Sequence, residues 1–146
     1  MRESNSIKLK YFKPKKFEYY RNRTIYDYIG VKFYKKYLPT TGDLVSRKKG
    51  IKQIDLTNSD RYEELYRYEK KTRNYEWRHI IGAILFVAIR FLFDSELRLT
   101  LLDFTILPIM NLYINIYPIF LQRYNRIRIL KILKNNNKPS PYASIS

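Results

Sequence analysis

The chain has no cysteine and a single histidine, His79. Disulfides, thiol catalysis and cysteine-based zinc sites are therefore excluded, and one imidazole is too few nitrogen ligands for an ordinary transition-metal centre. No bound metal or cofactor is expected. Glycine is scarce, at four residues, and Ser46-Arg-Lys-Lys-Gly50 is a cationic loop without the Gly-x-x-x-x-Gly-Lys-Ser/Thr spacing that cradles phosphate. Acidic residues are few as well: 13 Asp and Glu stand against 29 Lys and Arg, for a formal net charge of +16. In a soluble protein that imbalance would point first to nucleic acid. Two apolar runs in the second half of the chain argue otherwise, and no nucleic-acid partner is expected. Met1 to Lys16 lacks the apolar core of a signal peptide, so the amino terminus is expected in the cytoplasm.

What is present is one long apolar segment with a basic end. Leu101 to Leu121 covers 21 residues, enough for a bilayer core at about 1.5 Å per residue, and Arg123, Arg126, Arg128, Lys131 and Lys134 follow it. A second apolar run, Ile80 to Phe93, is shorter and contains Arg90. Asp60, with Glu63 three residues on, can cap a helix that meets no Gly or Pro before Gly82, so it can begin in water and end in lipid, with Trp77 at the interface. Asp94-Ser95 is a turn between the runs. Folding the chain about residue 96 sets Arg90 opposite Asp103; the alternative is that Arg90 snorkels to the outer interface beside Asp94. Arg73 and Arg78 before the hairpin, and Arg123, Arg126 and Arg128 after it, place both ends in the cytoplasm.

The predicted fold is all-α: a membrane-embedded helical hairpin preceded by a basic, partly helical cytoplasmic or interfacial segment. Its divisions are 1–58 for the basic segment, 59–134 for the long helix plus hairpin with spans at about 77–93 and 99–121, and 135–146 for a polar tail expected to be disordered. Residues 1–50 carry 14 Lys and Arg against 4 Asp and Glu, a composition drawn to anionic lipid heads. Residues 1–23 read either as an irregular interfacial stretch or as a solvated tail. Thr24 to Leu38 is predicted as one helix, with Ile25, Tyr28, Ile29, Phe33 and Tyr37 on one face and Pro39 as its stop. It either lies in the membrane surface or packs against its own chain.

Polar groups inside an apolar hairpin are the places to look for chemistry. Asn111 and Asn115 lie one turn apart, with Gln122 two turns beyond, and such amides must face protein or a cavity. The antiparallel register brings Glu76 and His79 near Tyr113, Asn115 and Tyr117 at the cytoplasmic mouth. A histidine there is suited to take a proton from a hydroxyl, with Glu76 orienting it. The plainer reading is an interfacial Glu/His pair on a helix surface.

Three motifs carry a family resemblance. Asn115-x-Tyr-Pro-x-x-x-Gln-Arg-Tyr-Asn-Arg-x-Arg128 resembles the terminal signature of the glycosyl-4,4'-diaponeurosporenoate acyltransferases, small bacterial membrane proteins of carotenoid glycolipid synthesis. Thr72-Arg-Asn-Tyr-Glu-Trp-Arg-His79 is similar to the family's Thr-x-Arg-x-Glu-x-x-His element, with Asn74 where arginine is usual, and Leu38-Pro-Thr-Thr-Gly42 to its Leu-Pro-x-x-Gly element. The likeness runs over roughly Phe33 to Leu133, and Ile127 stands where proline is common. It implies a transferase of the bacterial cytoplasmic membrane that moves a long-chain acyl group from a thioester, such as acyl-CoA or acyl carrier protein, to a hydroxyl of a glycosyl carotenoid or related glycolipid. His79 and Glu76 would be catalytic, and Asn115, Gln122, Arg123, Asn125, Arg126 and Arg128 would bind substrate, the arginines by their planar fork. The alternative is a non-enzymatic integral membrane protein that binds lipids or proteins through its basic cytoplasmic face. Membrane-protein partners or self-association are compatible with either.

Overall fold

The computed structural model describes residues 9–21, 23–37, 61–92 and 101–145, with the backbone alone for 37, 90, 91 and 101–104. The Leu-Pro-x-x-Gly element, the cationic loop, the Asp60 cap and the hairpin tip lie outside the described residues. So do the side chains of the expected Arg90–Asp103 pair.

The described chain is mostly helical, and two long helices dominate it. After a helical turn at residues 9–12, a 3₁₀ turn (Lys16–Glu18) leads into a minimal hairpin of β1 (Tyr19–Tyr20) and β2 (Arg23–Thr24). The strands pair antiparallel, Tyr19 with Thr24 and Tyr20 with Arg23, and Arg21 takes the left-handed conformation at the turn. Two short helices follow, α1 (Ile25–Tyr28) and α2 (Val31–Tyr37). The single helix expected from Thr24 to Leu38 is thus broken in two. Gly30, at φ +79°, supplies the break, a conformation that costs other residues a steric clash. At the start of α1 the Asp27 carboxylate accepts from both the Thr24 amide and the Thr24 hydroxyl, at 2.9 Å each.

The helix expected from Asp60 onward is α3 (Arg61–Leu92), 32 residues without interruption. Its partner begins as α4 (Leu101–Asn111), passes through a π-helical turn (Leu112–Ile116) and continues as α5 (Tyr117–Asn135). The two run antiparallel in contact, from Arg61 beside Asn136 to the Ala83 carbonyl beside Asn111. Among the described residues, one helix, Thr105–Asn135, is long and apolar enough to cross a membrane by length and composition.

The π turn has a local cause and a local repair. Pro118 has no amide hydrogen, and the Tyr117 amide bonds back to Leu112, so the Tyr113 carbonyl is left without a helical donor. The Tyr34 hydroxyl of α2 supplies one at 3.1 Å, and Tyr117 returns a bond from its own hydroxyl to the Ile29 carbonyl at 3.0 Å. Tyr26, Val31, Tyr34, Leu121, Tyr124 and Ile127 close a core around these contacts, with Tyr34 stacked on Tyr117 at 5.1 Å. The amino-terminal segment therefore packs on the basic end of the long helix.

The carboxyl-terminal stretch, expected to be disordered, folds back instead. Asn137 is left-handed (φ 53°), the Lys138 amide bonds the Leu133 carbonyl and the Asn137 amide bonds the Lys134 carbonyl, which is the pattern that ends a helix by reversing it. The reversal lets the Pro139 carbonyl accept from Tyr66 and buries Tyr142 against α3. Polar composition promotes disorder only where no partner surface waits, and here Glu69 waits.

The pairing of α3 with its partner is apolar inside at the Leu65, Ile129 and Leu133 end and polar inside toward Asn115. Its interior holds Glu69, Thr72, Glu76, Asn115 and Arg126, while Ile81, Ile84, Leu85, Val87, Ile109 and Ile114 are exposed.

Candidate active site

On α3, Leu65, Glu69, Thr72 and Glu76 recur every three or four residues, the spacing that makes a helix bury one face. The residues filling three of those four positions are polar, so the seam must be satisfied by its partner. Asn115, Arg126, Ile129 and Leu133 face it from the other helix.

Glu76 is fully buried and holds two arginines: its carboxylate lies 2.8 Å from Arg123 Nε and 2.6 Å from Arg126 Nη2. Arg126 is 1% exposed. It also donates to the Thr72 hydroxyl at 3.3 Å and the Phe12 carbonyl at 3.1 Å, lies 3.6 Å from Glu69, and sits over the Phe12 ring. Arg123 bridges Glu76 to the buried Glu18 at 2.5 Å, donates to the Tyr11 carbonyl and covers the Tyr11 ring. Glu69 is paired with Arg73 at 3.1 Å and accepts from the Tyr142 hydroxyl. Burial first, and then the Glu69 carboxylate, keep the Tyr142 phenol well above its usual range against the pull of Arg126, so it stays a neutral donor. Three carboxylates thus meet three guanidiniums, and the cluster is electrically balanced among the described residues.

Beside this cluster, Gly82 makes room for Asn115. A Cβ at Gly82 would stand 2.7 Å from Asn115 Oδ1. Asn115 donates to Asn111 at 2.8 Å, and Asn111 reaches the Ala83 carbonyl at 3.4 Å. The His79 ring, half-buried, interacts with the Asn115 side chain and the Ile114 backbone.

The site residues expected from sequence divide on this geometry. His79 and Asn115 come together, as the antiparallel register required. Glu76 is one turn of α3 away with its carboxylate occupied by arginines, and no described hydrogen bond joins it to His79. Arg126 is sealed inside, whereas Arg123 is partly accessible and Arg128 is exposed over Tyr124. Gln122 and Asn125 are half-buried and make no side-chain hydrogen bond among the described residues. Sequence reasoning missed Glu18, Glu69, Arg73 and Tyr142. For Glu69 a signal existed, because it falls on the buried stripe of α3; Glu18 and Tyr142 arrive from remote segments with no periodicity to announce them.

Next to Arg123 a cavity of about 590 Å³ opens between the amino-terminal segment and the long helix. Phe17, Ile25 and Ile29 line it from one side, and Leu112, Ile119 and Phe120 from the other. Its wall is apolar and its one charged group, Arg123, already faces two carboxylates. Such a groove is lined mostly by apolar side chains and offers no uncompensated charge to an anion among the described residues. Among the described residues, no group of three or more potential ligands is arranged to hold a metal ion.

Compared with known proteins, residues 8–135 match the family model described as glycosyl-4,4'-diaponeurosporenoate acyltransferase. No curated protein and no solved structure matches the chain.

Proposed function

Since the chain belongs to the glycosyl-4,4'-diaponeurosporenoate acyltransferase family, we propose that it is a membrane-embedded enzyme that moves a long-chain acyl group from a thioester to a hydroxyl of a glycosyl carotenoid or related glycolipid. The match over residues 8–135, which takes in every site residue expected from sequence, is the observation that carries this reading. The polar interior and apolar exterior of the helix pair support its membrane setting, since lipid solvates isoleucine and not glutamate. In this reading residues 77–93 and 99–121 cross the bilayer, and both termini are cytoplasmic.

His79 acts as general base. It takes the proton of the sugar hydroxyl as that oxygen attacks the acyl carbonyl; the carbon–oxygen bond forms, the carbon–sulfur bond breaks, and the imidazolium returns the proton to the departing thiolate. Asn115 holds the ring in place, and the proline-broken helix around Ile114 supplies a backbone contact that an unbroken helix would keep to itself. Glu76 serves as an anchor for Arg123 and Arg126 and reaches His79 only through the helix they share. Arg126 is a positioning residue. Gln122, Asn125 and Arg128, which retain accessible polar atoms, take the sugar, and the apolar groove beside Arg123 takes the acyl chain.

Lipid and pigment profiling of cells with and without the chain tests the activity: an acylated glycolipid should appear only with it. His79→Gln should keep insertion and expression while lowering transfer by ~10²- to 10⁴-fold, the usual contribution of a general base. Undiminished transfer by that variant would overturn the assignment of His79.

A further inference from the structure

The amino-terminal segment presents an aromatic and cationic surface that extends beyond the groove proposed for the acyl chain. Val31, Tyr34 and Tyr26 turn inward against α5, which leaves Phe17 at 68%, Tyr20 at 52%, Tyr28 at 59% and Ile29 at 41% exposure. These are not scattered. Ile25, Tyr28 and Ile29 share one face of α1, Phe17, Ile25 and Ile29 line the groove against Leu112 and Ile119, and Tyr20 packs edge-on to Tyr28. The apolar band of the long helix therefore continues sideways onto the segment beside Tyr117, Ile119 and Phe120, next to the end of the 99–121 span, where it would meet headgroups. Around this band Lys15, Lys16, Arg21, Arg23, Lys32 and Lys35 are exposed. Both acids between residues 15 and 36 turn inward or are occupied: Glu18 is buried on Arg123, and Asp27 bonds Thr24 and lies 2.7 Å from Lys32.

We propose that residues 15–36 form a collar that docks in the plane of the membrane on anionic phospholipid, aromatic side chains at the headgroup–acyl boundary and lysines and arginines on the lipid phosphates. Charge complementarity selects this occupant, because, Lys32 apart, these exposed cations have no carboxylate partner among the described residues, and the continuity of the surface with the apolar exterior of the span selects a bilayer over a soluble polyanion. The proposal rests on the membrane-spanning reading of the long helix and is independent of the acyl-transfer chemistry.

Trp77 is the sole tryptophan, so Trp77→Phe gives a silent background for reporters in the full chain. Tyr28→Trp would report on the collar and Ile109→Trp on the span. Both variants are reconstituted into phosphatidylcholine vesicles and into an equal mixture of phosphatidylcholine and phosphatidylglycerol, with bromine on the acyl chains near the headgroup for the collar reporter and near the chain end for the span reporter. The collar reporter should be quenched and blue-shifted more strongly in the mixture, and Lys15→Glu with Lys16→Glu should abolish that difference. A collar reporter that stays water-like while the span reporter is quenched overturns the proposal, as does one that responds to an oligonucleotide and not to lipid composition. An unquenched span reporter instead overturns the membrane reading beneath it.

Discussion

Individual side chains in the seam between the long helices carry costs that can be read from their surroundings. Glu76 holds two guanidiniums in a site closed to water, so Glu76→Gln leaves Arg126 buried with too little negative charge. The expected loss is about 3–5 kcal/mol, seen as a lower unfolding midpoint in detergent. Had Glu76 served only to orient His79, that midpoint would not move. Gly82 is constrained by space: Gly82→Ala drives a methyl against Asn115 Oδ1 and should cost about 1–3 kcal/mol. Asn115→Ala in the same chain should recover much of the loss, because it removes the atom in the way. The histidine and its amide were legible from sequence, since polar residues in an apolar run announce themselves. The pairing of Glu76 with Arg123 and Arg126 was not, because these partners sit 47 and 50 positions away and long arginine side chains reach across more than one turn.

Among the elements, the π turn shows how a single residue commits a neighbouring segment. Pro118 withholds a donor from the Tyr113 carbonyl, and Tyr34 supplies one from α2. Tyr34→Phe should therefore destabilise the protein by about 1–3 kcal/mol, the cost of an unsatisfied buried acceptor. In a Pro118→Ala background the restored amide can serve that carbonyl, so the same substitution should cost distinctly less; equal costs in both backgrounds would refute the coupling. Helix lengths were readable from sequence because α3 contains a single Gly and no Pro over 32 residues. The break between α1 and α2 was not, since apolar periodicity continues across Gly30 and only the packing of Tyr34 and Tyr117 requires the chain to turn there.

Across the whole molecule, the amino-terminal segment and the carboxyl-terminal tail dock at the same end of the helix pair, through Glu18 on Arg123 and Tyr142 on Glu69. Whatever bilayer the chain enters, the two must share a side. Because the chain has no native cysteine, single variants Lys16→Cys and Ser144→Cys should both label from the cytoplasmic face with an impermeant maleimide. Labelling of one from each face would refute the arrangement. The sequence by itself determined the helical class, the long basic-ended apolar segment, the absence of thiol chemistry and the family, because each depends on composition, periodicity or short motifs. Only the tertiary structure decided that Arg123 and Arg126 of the terminal motif face inward onto three glutamates while Arg128 stays exposed, that the tail is docked, and that the amino-terminal aromatics border a groove. The reason is physical: a charge or a ring shows its kind in the sequence, but what neutralises or covers it is set by segments that meet only when the chain folds.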